Sequence, residues 1–180
     1  PKHSAARDQL RTWLSHIQES YGYDRVFLLD VHGVERLSAP DTSEPVAAHL
    51  LEQAPDILRS GRVTFVDFHR DAPDGPIHMS VLVPVLDGEE DTGAMGILVF
   101  RIDPEKYLYP YISRWPTPSR TAETLIVRRD GNDVLFLNEL RFQKNTALNL
   151  RIPFGSQDVL AVKAALGEEG VVEGVDYRGV

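Results

Sequence analysis

The stretch Val26-Phe27-Leu28-Leu29-Asp30-Val31-His32-Gly33-Val34-Glu35-Arg36-Leu37-Ser38 decides the fold. A short apolar run, an Asp-Val-His-Gly turn and a second run to Ser38 read as a β-hairpin. The same pattern returns in Leu125-Ile126-Val127-Arg128, the Asp130-Gly131 turn and Val134 to Asn138. The repetition extends outward. Val46, Ala47, Leu50, Leu51 and Ala54 form the inner face of a helix that Ser43 or Glu44 would cap, with Pro45 at its first position. Val159, Leu160, Val162 and Ala165 lie at matching places within 157–166. Gly170-Val171-Val172-Glu173-Gly174-Val175-Asp176 matches Gly61-Arg62-Val63-Thr64-Phe65-Val66-Asp67. A repeat of this length predicts tandem modules rather than a solenoid.

Residues 4–20 read as a helix with a stripe of Leu10, Trp13, Leu14, Ile17 and Tyr21, ended by Gly22. Pro55 predicts a break in the next helix or a new short helix to Ser60. Strands follow at 62–68, 78–86 and 94–102, with Pro84 indicating a bulge or an edge. Residues 105–115 read as a bridging helix, and Pro116-Thr117-Pro118-Ser119 as a rigid connector. The expected fold is α+β: tandem PAS-like modules with antiparallel sheets flanked by helices. The expected divisions are an N-terminal helix (1–21), a first module (22–103), a linker (104–121) and a second module (122–180). The first module has two strands after Asp67 that the second lacks after Asp176, so the second is expected to be truncated, with the native chain continuing past Val180.

Among 180 residues, acidic side chains outnumber basic ones by 27 to 19, which argues against general nucleic-acid binding and against adhesion to anionic lipid. The absence of cysteine excludes disulfides, thiolate zinc sites and cysteine nucleophiles. No apolar run approaches the about 18–20 residues that span a bilayer. Any membrane association is therefore expected through flanking segments. No Gly-x-Ser-x-Gly, phosphate-binding loop or helical pair of metal-ligating histidines is present, so no catalytic residue, cofactor or metal is assigned.

Several blocks carry a family resemblance: Tyr21-Gly22-Tyr23-Asp24, Val63-Thr64-Phe65-Val66-Asp67-Phe68-His69, Phe136-Leu137-Asn138-Glu139-Leu140-Arg141 and Gly174-Val175-Asp176-Tyr177-Arg178-Gly179-Val180. Above all there is Trp115-Pro116-Thr117-Pro118-Ser119-Arg120-Thr121-Ala122-Glu123-Thr124. With them the chain resembles the double-Cache sensor regions of bacterial histidine kinases and diguanylate cyclases. The resemblance implies the extracytoplasmic, periplasmic input part of an inner-membrane receptor that binds a small molecule and transmits a conformational change. The stripe of Leu10, Trp13, Leu14 and Ile17 predicts a homodimer, packing partly against a second copy, or else packs wholly against its own sheet. A ligandless scaffold or protein-interaction module is the alternative.

Strand alternation nominates Phe65, Asp67, His69, His78, Ser80 and Arg101 as pocket residues, with His78 and Ser80 on the face of Leu82, and Asp67 and His69 on the face of Phe65. Trp115, Arg120 and Glu123 flank the connector and are expected to form the joint between modules, with an Arg–Glu pair fixing its angle.

Overall fold

A computed structural model describes residues 2–73, 75–86, 93–114 and 119–180. The chain divides into two compact units, Pro1–Tyr107 and Leu108–Val180.

The first unit runs α1 (Lys2–Tyr21), β1 (Arg25–Asp30), β2 (Glu35–Ala39), α2 (Ala48–Ser60), β3 (Thr64–Arg70), β4 (Ile77–Leu86) and β5 (Ala94–Ile102). The strands form one antiparallel sheet in the order β2-β1-β5-β4-β3. The predicted hairpin is β1–β2; Asp30 closes its turn by accepting from the backbone N–H groups of His32 and Val34 at 2.8 and 3.0 Å. Gly96 is required where β5 meets β1, because a Cβ there would lie 2.6 Å from the Leu29 carbonyl oxygen.

Alternation along the strands gives the sheet two apolar faces. Leu14 of α1 is fully buried with Val26, Leu37 and Ala39 on one face. Leu50, Ala54 and Ile57 of α2 cover Phe27, Leu29, Leu82, Ile97 and Val99 on the other. The α1 stripe is used only in part: Leu10 and Ile17 pack beside Leu14, while Trp13 and Tyr21 are exposed.

Two expectations for α2 are corrected. It begins at Ala48 rather than at Ser43 or Glu44, because Glu44 is drawn to Arg101 instead of capping a helix. Pro55 lies inside the helix and does not break it. Burial of Leu50, Ala54 and Ile57 on the sheet holds the helix through the proline. Pro84 is tolerated in β4 because β3 has already ended at the Thr64–Leu82 pair, leaving that side of β4 as a local edge.

The second unit contains α3 (Leu108–Ile112), β6 (Val127–Asp130), β7 (Asp133–Phe136), β8 (Arg151–Pro153) and α4 (Leu160–Ala165). The strands form an antiparallel sheet in the order β6-β7-β8. Its core joins Val134, Phe136 and Leu140 to Ala161 and Val162 of α4. The helix expected over 105–115 is confined to α3, which contains Pro110, and Trp115 falls outside the described residues. The strand expected over 170–176 is reduced to a single parallel bridge between Val159 and Val175. Gly170 adopts φ +92° and Val171 is fully exposed, so neither extends that pairing. Strand β8, three residues ending at Pro153, was not anticipated. Among the described residues no helix is long and apolar enough to cross a membrane.

Candidate functional site

The α2-covered face of the first sheet changes character along its length. At one end it is a packed apolar core. At the other, Arg25, Ser38, His69, His78, Ser80 and Arg101 replace the aliphatic side chains, beneath the 40–47 segment and the first turn of α2. Arg101 continues the alternation of Ile97 and Val99, and Arg25 that of Phe27 and Leu29. The sequence places a charged residue at the end of each apolar row.

Arg101 is the hub. Its guanidinium donates to Asp24 at 2.7 Å, to both Glu44 oxygens at 2.8 Å and to Asp71 Oδ2 at 3.1 Å. It is 7% exposed, and burial alone would make it easier to deprotonate. Glu44 and Asp24 outweigh burial and raise its pKa further. Its hydrogen bond to Glu44 in turn holds that carboxyl below the usual range. Arg25, 1% exposed, is similarly committed: Nε donates to Ser38 Oγ at 3.0 Å and Nη2 to the two Glu35 oxygens at 2.9 and 2.7 Å. Both arginines are thus engaged by the protein's own acceptors.

The histidines beside them are not saturated. His49 Nε2, His69 Nε2, Asp71 Oδ1, His78 Nδ1 and Ser80 Oγ are buried atoms without a hydrogen-bond partner among the described residues. Such atoms are costly and uncommon, and here they converge on one place. His69 lies with its ring centroid 4.3 Å from that of His49 and 6.4 Å from that of His78. His78 Nδ1 stands 3.5 Å from Asp71 Oδ2, and His69 Nε2 stands 3.4 Å from Asp71 Oδ1. Both separations are longer than the usual hydrogen-bond distance, so the contacts are chiefly electrostatic. Burial pushes the Asp71 carboxyl up, but His69 and His78 outweigh it and hold it well below the usual carboxylate range. Burial, then the neighbouring His69, lowers the pKa of His49 and favours its neutral imidazole. Ligand atoms of His49, His69 and Asp71 lie within 4.8 Å of one another and can hold a metal ion.

Four of the six pocket residues named from strand alternation, His69, His78, Ser80 and Arg101, meet here. Phe65 and Asp67 do not follow. A β-bulge sets Asp67 and Phe68 between the Val66–Ser80 and His69–His78 pairs, reversing the alternation within β3. His69 therefore turns to the covered face, whereas Phe65 is 57% exposed and lines an outer groove of about 720 Å³ beside α2. None of the five unpartnered atoms belongs to a residue lining that groove. Asp67 supplies its main-chain carbonyl to His69 Nδ1 at 2.8 Å, while its carboxylate accepts from the Phe68 N–H at 2.8 Å. His49, Asp71, Asp24, Glu44 and Arg25 escaped the sequence reading. The spacing His69-x-Asp71 was a usable signal, because it puts both on one face once the bulge is passed.

In the second unit Glu123 accepts from Tyr177 Oη at 2.7 Å and from the Arg141 N–H at 2.8 Å. The Arg–Glu pair expected with Arg120 is replaced by these bonds, and Arg120 is exposed.

Comparisons with protein families and with curated proteins find no match. Among solved structures, the sensor domain of the Vibrio cholerae histidine kinase DctB is similar over 80% of this chain and 72% of its own, with 12% identity and a TM-score of 0.43. The extracellular domain of vpHK1S-Z8, described as a histidine kinase, is similar over 79% and 74%, with 14% identity and a TM-score of 0.47. Both likenesses lie below the level at which function carries over between chains.

Proposed function

We propose that the chain is an extracytoplasmic ligand-sensing input region of a bacterial transmembrane receptor of the histidine kinase or diguanylate cyclase type. In this reading residues 22–103 are a PAS-like module and residues 122–180 a second one. A small polar molecule binds at the polar end of the first sheet. The observation that carries the reading is the convergence of unpartnered atoms from His49, His69, Asp71, His78 and Ser80 on the covered sheet face. A ligand that satisfies them does so from β3, β4 and α2 at once, so it favours one packing of α2 and the 40–47 segment on the sheet. That differential affinity is the signal, passed to an output domain in the same receptor. The half-exposed Trp13 of α1 is the natural contact for a homodimer. The fragment itself performs no catalysis in this account.

The ligandless scaffold remains the second reading, favoured by the close packing of Phe27, Leu82, Ile97 and Val99 at the apolar end of the same face. A thermal-shift screen of the purified chain against amino acids, carboxylates, amines, purines and divalent cations separates the two. A ligand at one hundred times its dissociation constant adds about 2.7 kcal/mol. A concentration-dependent shift lost in His69→Ala supports the sensor; no shift across the panel supports the scaffold.

A further inference from the structure

We propose that the polar end of the first sheet is a site for a divalent transition-metal cation of the zinc class, held by His49 Nε2, His69 Nε2 and Asp71 Oδ1. The inference rests on the ligand-binding reading of that site and names the chemistry of its occupant.

The first argument is the tautomer of His69. Its Nδ1 lies 2.8 Å from the Asp67 carbonyl oxygen, which can only accept, so Nδ1 carries the proton. Its other nitrogen, Nε2, has no hydrogen-bond partner among the described residues and faces Asp71 Oδ1 at 3.4 Å. A ring nitrogen and a carboxylate oxygen so placed can share one cation as ligands. Histidines that ligate metals show this arrangement, one nitrogen donating to a carbonyl or carboxylate while the other binds.

The second argument is distance. Ligand atoms about 2.0–2.2 Å from a tetrahedrally bound zinc lie about 3.3–3.6 Å from one another. The His69–Asp71 separation already falls in this range, and His49, His69 and Asp71 each offer a ligand atom within 4.8 Å of those of the other two. A small side-chain rotation completes the set. Two imidazoles and one carboxylate are a borderline donor set suited to zinc-type ions, and they leave a coordination position open for water.

The third argument is charge. Asp24, Glu44 and Asp71 surround Arg101, and Lys106 lies 3.6 Å from Asp24. Three carboxylates against Arg101 and Lys106 leave one negative charge in excess among these side chains. An anionic ligand would worsen this balance and find both arginines already engaged; a cation corrects it. The outer contacts also orient the ligand. Arg101 Nη1 holds Asp71 Oδ2 at 3.1 Å, which leaves Oδ1 aimed at His69.

The test is isothermal titration of the chelator-treated 180-residue chain with Zn²⁺, together with the visible spectrum of its Co²⁺ complex. One equivalent should bind, with the absorption of tetrahedrally coordinated cobalt. His49→Ala and His69→Ala should each weaken binding by more than about tenfold to a hundredfold. The partly exposed His49 makes its variant the one expected to keep the fold, which circular dichroism verifies. Absence of stoichiometric binding, or equal binding by wild type and both folded variants, overturns the proposal. A screen of organic ligands in the same metal-free buffer separates the two readings. An organic hit without metal binding sinks the cation and keeps the sensor; silence from both sinks both.

Discussion

In the first unit, buried atoms of His49, His69, Asp71, His78 and Ser80 have no hydrogen-bond partner among the described residues, whereas in the second unit the buried Asn138 and Thr146 are fully engaged. Asn138 Oδ1 accepts from the Ile126 N–H at 2.7 Å, and its amide donates to the carbonyls of Thr124 and Glu139 at 3.0 Å. Thr146 Oγ1 accepts from the Leu140 N–H at 2.9 Å and donates to the Asn138 carbonyl at 3.2 Å. Asn138 thus ties β7 to the chain entering β6 and does structural work that leaves nothing to offer a ligand. The first unit spends its two buried arginines in the same structural way but leaves one ring nitrogen of each of His49, His69 and His78 without a hydrogen-bond partner among the described residues. Among the described residues this unsatisfied polarity falls in the first unit, which is what a binding site requires and what a folding core avoids.

The largest expected effect tests the structural half of the first unit's polar end. Arg101→Met removes the common partner of Asp24, Glu44 and Asp71 and leaves their carboxylates crowded and partly buried. Chemical denaturation should show a loss of about 3–5 kcal/mol. A loss below about 1 kcal/mol would mean that solvent replaces the arginine, and that the site is more open than its burial indicates. Next, Asn138→Ala leaves two backbone carbonyls and one N–H without partners in the second unit. A loss of about 1–3 kcal/mol is expected. A smaller loss would erase the contrast between the units.

Much of this was legible in the sequence, for reasons that differ by element. The β1–β2 hairpin was readable because an apolar run and an Asp-Val-His-Gly turn are local signals. The strand over 94–102 was read to the residue, because an apolar run bounded by turn residues needs no tertiary information. His78, Ser80 and Arg101 followed from simple alternation along strands that keep it. Phe65 and Asp67 failed at the bulge, since one extra residue in β3 reverses the faces and only the pairing with β4 reveals it. Glu44 and His49 were invisible for another reason. Their roles depend on Arg101 and His69, which lie far away in the chain and close only in the fold. A capping reading of Glu44 was locally sound and lost to a buried charge. The second unit was read by analogy with the first, and the analogy held for β6 and β7 but not over 170–176, where Gly170 adopts a positive φ and only Val175 bridges another segment.

A smaller effect tests whether the second unit's network depends on its charge state. Burial, and then the hydrogen bond to Glu123, pushes the Tyr177 hydroxyl up to about 12. A raised folded-state pKa means that the protonated phenol is favoured by folding. Its contribution is fully present below the unfolded value of about 10 and is lost as pH rises through about 12. The pH-dependent part of wild-type stability over that window should be diminished in Tyr177→Phe, with a loss of about 1 kcal/mol at neutral pH. Equal alkaline slopes for the two proteins would place the proton elsewhere.

The smallest expected effect is the most discriminating. Ser80 is fully buried, and its hydroxyl has no partner among the described residues. If that hydroxyl is held for a ligand, the empty protein carries the desolvation cost without a return. Ser80→Ala should then change stability by less than about 0.5 kcal/mol or raise it slightly. Thr146→Val, which removes a bonded hydroxyl of similar burial, should cost about 1–3 kcal/mol. The pair of variants therefore measures the difference between the units directly. Equal losses at Ser80 and Thr146 would show that Ser80 already has a structural partner, and the distinction between a committed core and a waiting site would fall. A neutral Ser80→Ala would confine the cost of the first unit's uncommitted polarity to the state without ligand.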